Sequence, residues 1–181
     1  MVRRHGIALA ALILFATLPG AAESGEVLKC FGRRPTIVGT SGPDHFIGTH
    51  QRDIIIARGG ADVIRASGGG DSICAGSGAD RVHVGSETKL NNLARGGPGN
   101  DRIFGLGGRD FLFGGPGNDR IFGRGRNDLV NGGPGNDRIV GGGRNDRLDG
   151  GSGTNTIDGG PGDDTCEEPA PGEPGETNCE L

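Results

Sequence analysis

The chain has 181 residues, 40 of them Gly, which is about 22% against an average usage of about 7%. With 32% apolar residues, 4% aromatics, no Trp and no Tyr, it lacks the large side chains from which a layered helix-and-sheet enzyme builds its core. Ten Pro without Gly at every third position exclude a collagen. The formal charge is −4, and the low apolar content, which would otherwise indicate disorder, is set against a strict internal period.

Arg3, Arg4 and His5 precede the apolar run 6–18 and the small residues Ala21 and Ala22. This pattern predicts a signal peptide over 1–22, cut after Ala22. The run is shorter than the roughly 20 residues that span a bilayer, so no stable membrane span is expected. The exported remainder keeps 17 Lys and Arg against 23 Asp and Glu, a net −6 over 159 residues. A secreted, acidic protein is predicted, and that charge argues against nucleic acid as its main partner.

After a lead-in at 23–38, a period of nine residues begins. Asp stands at 44, 53, 62, 71 and 80, and again at 101, 110, 119, 128, 137, 146 and 164, with Asn155 filling the one gap. Two positions after each lies an apolar residue, from Phe46, Ile55 and Ile64 through Ile121, Val130 and Ile139 to Ile157 and Cys166. A Gly-rich turn precedes each Asp, reading GGPGND at 96–101, 114–119 and 132–137. In a three-residue strand the middle side chain points inward and its neighbours outward. One coil buries almost nothing, and only stacked coils make a continuous, thin core.

The pattern resembles the GGxGxDxUx nonapeptide of the haemolysin-type, or repeats-in-toxin (RTX), calcium-binding family, over about 39–167. The resemblance implies an all-β fold, a right-handed parallel β-roll (β-solenoid) with two nonapeptides in each 18-residue coil. It also implies Ca²⁺ between the turns of adjacent coils, held by the sixth-position carboxylates and by main-chain carbonyls. The residues alone agree. So thin a core scarcely offsets the entropy of ordering so much Gly. Asp side chains stacked at the strand spacing of roughly 4.8 Å repel one another. A divalent cation answers both, and oxygen ligands in flexible geometry suit Ca²⁺. Folding is therefore expected to be metal-linked.

Because coils are 18 residues long, alternate repeats share a side. One side carries Asp101, Asp119, Asp137 and Asn155, with the carbonyls of Gly96, Pro98, Gly114, Pro116, Gly132 and Pro134 as further candidate ligands. The other carries Asp110, Asp128, Asp146 and Asp164, where Arg126 and Arg144 replace the fourth-position Gly. A left-handed non-Gly residue costs about 1–2 kcal/mol, so this side is expected to bind less well. In the degenerate block 39–83 the candidates are Asp44, Asp62 and Asp80 on one side and Asp53 and Asp71 on the other, with weaker or partly missing sites. Residues 84–95, three longer than two nonapeptides require, are expected as an inserted loop. The strong repeats then run over 96–167, followed by an acidic Pro-rich tail at 168–181.

Four Cys in an exported chain argue for two disulfides in any of three connectivities. The preferred pairing is Cys30–Cys74 and Cys166–Cys179, one staple toward each end. No nucleophilic or acid–base constellation is present, and His45, His50 and His83 are expected to face solvent. A non-enzymatic calcium-binding protein is therefore the expected function. The alternatives are an extracellular interaction or adhesion module, meeting another copy or a cell-surface polymer through its Phe and Arg faces, and an accessory module of a secreted enzyme.

Overall fold

A computed structural model describes residues 28–85 and 90–167 and the backbone of 176–178. The described residues contain no helix, hence none long and apolar enough to cross a membrane. Three-residue strands alternate with Gly-rich turns, and successive strands go to opposite sheets.

The odd sheet carries, in order, β1 (Ile37–Val38), β3 (Ile54–Ile56), β5 (Ser72–Cys74), β7 (Leu93–Arg95), β9 (Phe111–Phe113), β11 (Leu129–Asn131), β13 (Arg147–Asp149) and β15 (Thr165–Glu167). The even sheet carries β2 (His45–Ile47), β4 (Val63–Arg65), β6 (Arg81–His83), β8 (Arg102–Phe104), β10 (Arg120–Gly125), β12 (Arg138–Gly143), β14 (Thr156–Asp158) and β16 (Glu176–Asn178). Every pairing between strands is parallel and in register, as in Ile103↔Ile121↔Ile139↔Ile157. This is a β-solenoid of stacked two-strand coils.

The core is the single file of middle residues from each sheet. Ile55, Ile64, Ile73, Val82, Ile103, Leu112, Ile121, Val130, Ile139, Leu148 and Ile157 are buried between the sheets. Ile37, Phe46 and Cys166 close the two ends, partly buried. Each coil adds only two such side chains, so the coils stabilise one another and none is a core by itself.

The turn after β6 holds the three extra residues. It spans 84–92, nine residues, where the turn after β4 spans six, 66–71. The stretch 84–95 is therefore not all inserted loop. Leu93–Arg95 is strand β7, paired with β5 and β9, and Ala94 is fully buried in the file. The physical reason is continuity: a coil without β7 would break the ladder between β5 and β9. The lead-in likewise enters the fold earlier than its boundary at 38 suggests, because β1 already pairs with β3. Cys30 is buried and bonded to Cys74 on β5, with Cα atoms 5.8 Å apart. Cys166 is also disulfide-bonded, but Cys179 lies outside the described residues, as do the signal segment 1–22 and the tail from 168 apart from the β16 backbone.

Candidate metal centre

The turns owe their shape to alternating handedness. In GGPGND the second and fourth residues take positive φ, as at Gly115 (116°) and Gly117 (142°). A Cβ on Gly117 would run into the Gly99 carbonyl of the preceding coil. The first Gly answers a different demand: a Cβ on Gly114 would occupy the space of Asp119 Oδ2. On the opposite side the same conformation is imposed on Leu106 (74°), Arg124 (80°), Arg126 (78°) and Arg144 (80°), which is the strained substitution expected there.

The Asp residues form two continuous ladders. On one side each backbone N–H donates to Oδ1 of the rung one coil later, along Asp44, Asp62, Asp80, Asp101, Asp119, Asp137 and Asn155, at 2.7–2.9 Å. The other side runs Asp53, Asp71, Asn92, Asp110, Asp128, Asp146 and Asp164, at 2.7–3.0 Å. Asn92 is a rung that the sequence reading placed in the loop. Its signal was present as an amide 18 residues before Asp110 and two before an apolar Ala.

One oxygen of each carboxylate is thus engaged and the other is not. Oδ2 of Asp62, Asp71, Asp80, Asp101, Asp110, Asp119, Asp128, Asp137, Asp146 and Asp164 is buried with no hydrogen-bond partner. Burying a polar atom unpaired costs roughly 1–3 kcal/mol, and more when it is charged. Burial accordingly pushes these carboxyls up, opposed by the ladder N–H. Asp128 reaches about 8, with the charges of Asp110 and Asp146 adding to the rise. Asp101 and Asp110 reach about 7, and Asp71, Asp119, Asp137 and Asp146 about 6. Asp62 and Asp80 are also raised.

Four rungs escape this condition, each by a local substitution. Thr40 donates its N–H (2.7 Å) and its hydroxyl (3.1 Å) to Asp44 Oδ2. Thr49 repeats the arrangement on Asp53 Oδ2, at 2.7 and 3.0 Å. Neither Thr takes the positive φ of the later turns, so the first coil closes on itself. Asn92 donates its amide to Asp110 Oδ1 at 3.0 Å. Asn155 donates Nδ2 to the Gly151 carbonyl at 3.1 Å. That last contact shows what faces the second oxygen of a rung: a main-chain carbonyl. Where the rung is Asp, two acceptors converge there, and only a proton or a cation can join them.

The donor set fits Ca²⁺. Hard oxygens alone are on offer, buried and unsatisfied. Among the described residues no group of three or more His, Cys, Asp or Glu side chains converges. A cation would therefore take single carboxylates together with main-chain carbonyls. The carbonyls of Gly96, Pro98, Gly114, Pro116, Gly132 and Pro134 each accept an N–H from the preceding coil at 2.8–2.9 Å, which leaves one lone pair apiece. The fifth-position Asn, given no role by the sequence reading, forms an exposed ladder of its own, with Asn118 N–H on Asn100 Oδ1 and Asn136 N–H on Asn118 Oδ1, both at 2.8 Å.

The profile of the RTX calcium-binding nonapeptide repeat matches the chain four times, over 36–64, 48–82, 95–130 and 131–166. No curated protein matches it significantly. The two sheets, the period and the Asp ladders define a parallel β-roll. The chain belongs to the RTX calcium-binding nonapeptide repeat family, whose repeats bind Ca²⁺. Such a roll is a structural calcium-binding module and is not catalytic by itself.

Proposed function

We propose that the protein is a secreted Ca²⁺-binding β-roll in which the ion completes the fold. The observation that carries this reading is the set of ten buried, unpartnered Oδ2 atoms. Ca²⁺ bound between coils would neutralise and ligate them, through Asp101, Asp119 and Asp137 with the GGPGND carbonyls on one side and Asp110, Asp128, Asp146 and Asp164 on the other. Asp62, Asp71 and Asp80 carry the same unsatisfied oxygen in the degenerate block, whereas Asp44 and Asp53 are satisfied without metal. Binding energy then becomes folding energy. Export is supported by the signal-like 1–22 segment, by the Cys30–Cys74 bond and by the secreted or extracellular habit of such repeats.

Calorimetric titration of metal-stripped protein, followed in parallel by circular dichroism, tests the reading. We expect several Ca²⁺ per chain and a gain of β signal on binding, with affinities of about 10⁻⁴–10⁻³ M, as in extracellular modules. A spectrum unmoved by both chelator and Ca²⁺ would overturn it.

A further inference from the structure

The even sheet presents a second in-register ladder, basic and outward. The first residues of its strands place Arg81, Arg102, Arg120 and Arg138 directly beside one another on consecutive coils. All four are exposed. Parallel strands lie about 4.8 Å apart, and like charges directly opposite on a sheet repel. Among the described residues the one ion pair is Arg147 with Glu167, on the odd sheet, so no carboxylate compensates the column. A molecule of formal charge −4 thus gathers positive charge in a straight line on one face.

The neighbouring column sharpens the assignment. His83, Phe104 and Phe122 stack face to face, with ring centroids 4.6 and 5.2 Å apart and planes within 13° and 5°. Phe104 has a ring on each face, and the Arg124 guanidinium lies 5.8 Å from its centroid. The rings cover one another and offer little open aromatic face. Single-stranded nucleic acid gains its affinity by stacking bases on open faces, so it fits poorly. A flat, regularly spaced row of guanidinium groups suits an extended chain bearing carboxylates or sulfates, which Arg forks bind in bidentate fashion.

We propose that this face binds a linear acidic polysaccharide lying along the roll axis, its carboxylate or sulfate groups on the Arg81–Arg102–Arg120–Arg138 column. The binding is independent of the metal reading except that the roll must be folded.

The test uses the full mature chain in saturating Ca²⁺, with dextran sulfate and polygalacturonate as probes and neutral dextran and a single-stranded oligonucleotide as comparisons. Arg102→Gln combined with Arg120→Gln removes the centre of the column from exposed positions. Arg147→Gln is the control on the opposite sheet. Both acidic polysaccharides are expected to bind, neutral dextran is not, and the double variant should lose about tenfold in affinity with its circular dichroism and Ca²⁺ titration unchanged. Added salt should weaken the wild type more than the double variant. The proposal is overturned if neither acidic polysaccharide binds at low salt, if Arg147→Gln costs as much as the double change, or if the oligonucleotide binds more tightly than the polysaccharides.

Discussion

The Asp119 N–H donates to Asp137 Oδ1 at 2.7 Å, while Asp119 Oδ1 itself accepts the Asp101 N–H at 2.7 Å. Asp119 therefore stands in mid-ladder, with its free Oδ2 between coils on the GGPGND side. Replacing it by Asn reproduces the Asn155 arrangement, in which an amide donates to its own turn. Asp119→Asn is expected to raise the thermal stability of the metal-free roll and to weaken Ca²⁺ binding by about tenfold, roughly 1.4 kcal/mol. Calorimetry and melting curves of the one variant read both signs.

Asp128→Asn should lower Ca²⁺ affinity less. Burial and the flanking carboxylates hold Asp128 at about 8, against about 6 for Asp119, so near neutral pH a metal must first displace its proton. Arg126 adds a strained left-handed turn. An equal or larger loss at Asp128 would reject this ranking of the two ladders.

The raised carboxyls make the metal-free roll acid-favoured. Each binds its proton more tightly folded than unfolded, so its contribution is complete below about pH 4, the unfolded value, and is lost as pH rises through the folded values of about 6 to 8. Metal-stripped protein should therefore melt at a higher temperature at about pH 5 than at about pH 8.5. Ca²⁺ should reverse the trend, binding more tightly at the higher pH and releasing protons. Indicator-dye or calorimetric measurements in buffers of different ionisation enthalpy count those protons.

The Thr locks predict a coil that ignores metal. Thr49→Val removes the hydroxyl contact to Asp53 and should destabilise the roll by about 1 kcal/mol, equally with and without Ca²⁺. Asp53→Asn should leave the number of bound ions unchanged, whereas Asp62→Asn should reduce it. Titration stoichiometry separates the two.

Reduction should destabilise the roll through the Cys30–Cys74 bond, which closes a separation of 44 residues. Loop-closure entropy puts the loss near 4 kcal/mol at most, less where the unfolded chain keeps structure. The Cys30→Ser, Cys74→Ser pair, melted beside the wild type, measures it, and peptide mapping decides whether Cys166 joins Cys179.

The period carried most of the fold. Spacing between Asp residues set the strand positions, and the apolar residue two places later set the core, because both depend on position within the repeat. What the spacing hid was local satisfaction. Thr40 and Thr49 resemble any degenerate second-position residue until their hydroxyls are seen on Asp44 and Asp53. Asn92 and Ala94 escaped because the three extra residues shift the count without ending the coil, and Ala is a small core residue. The fifth-position Asn ladder was likewise invisible, since its bonds join residues 18 apart on an exposed edge.

The Thr-closed first coil gives the molecule a seed. Every later rung offers its N–H to a carboxylate that comes one coil further along the chain, so each finished layer is a template with donors already aimed. A chain delivered with its N-terminus leading would lay down first the layer that needs no ion and then add the others upon it, layer by layer, as a crystal grows from a nucleus. Metal concentration would then set how far the growth proceeds, and the starting surface would be the same wherever the chain emerged.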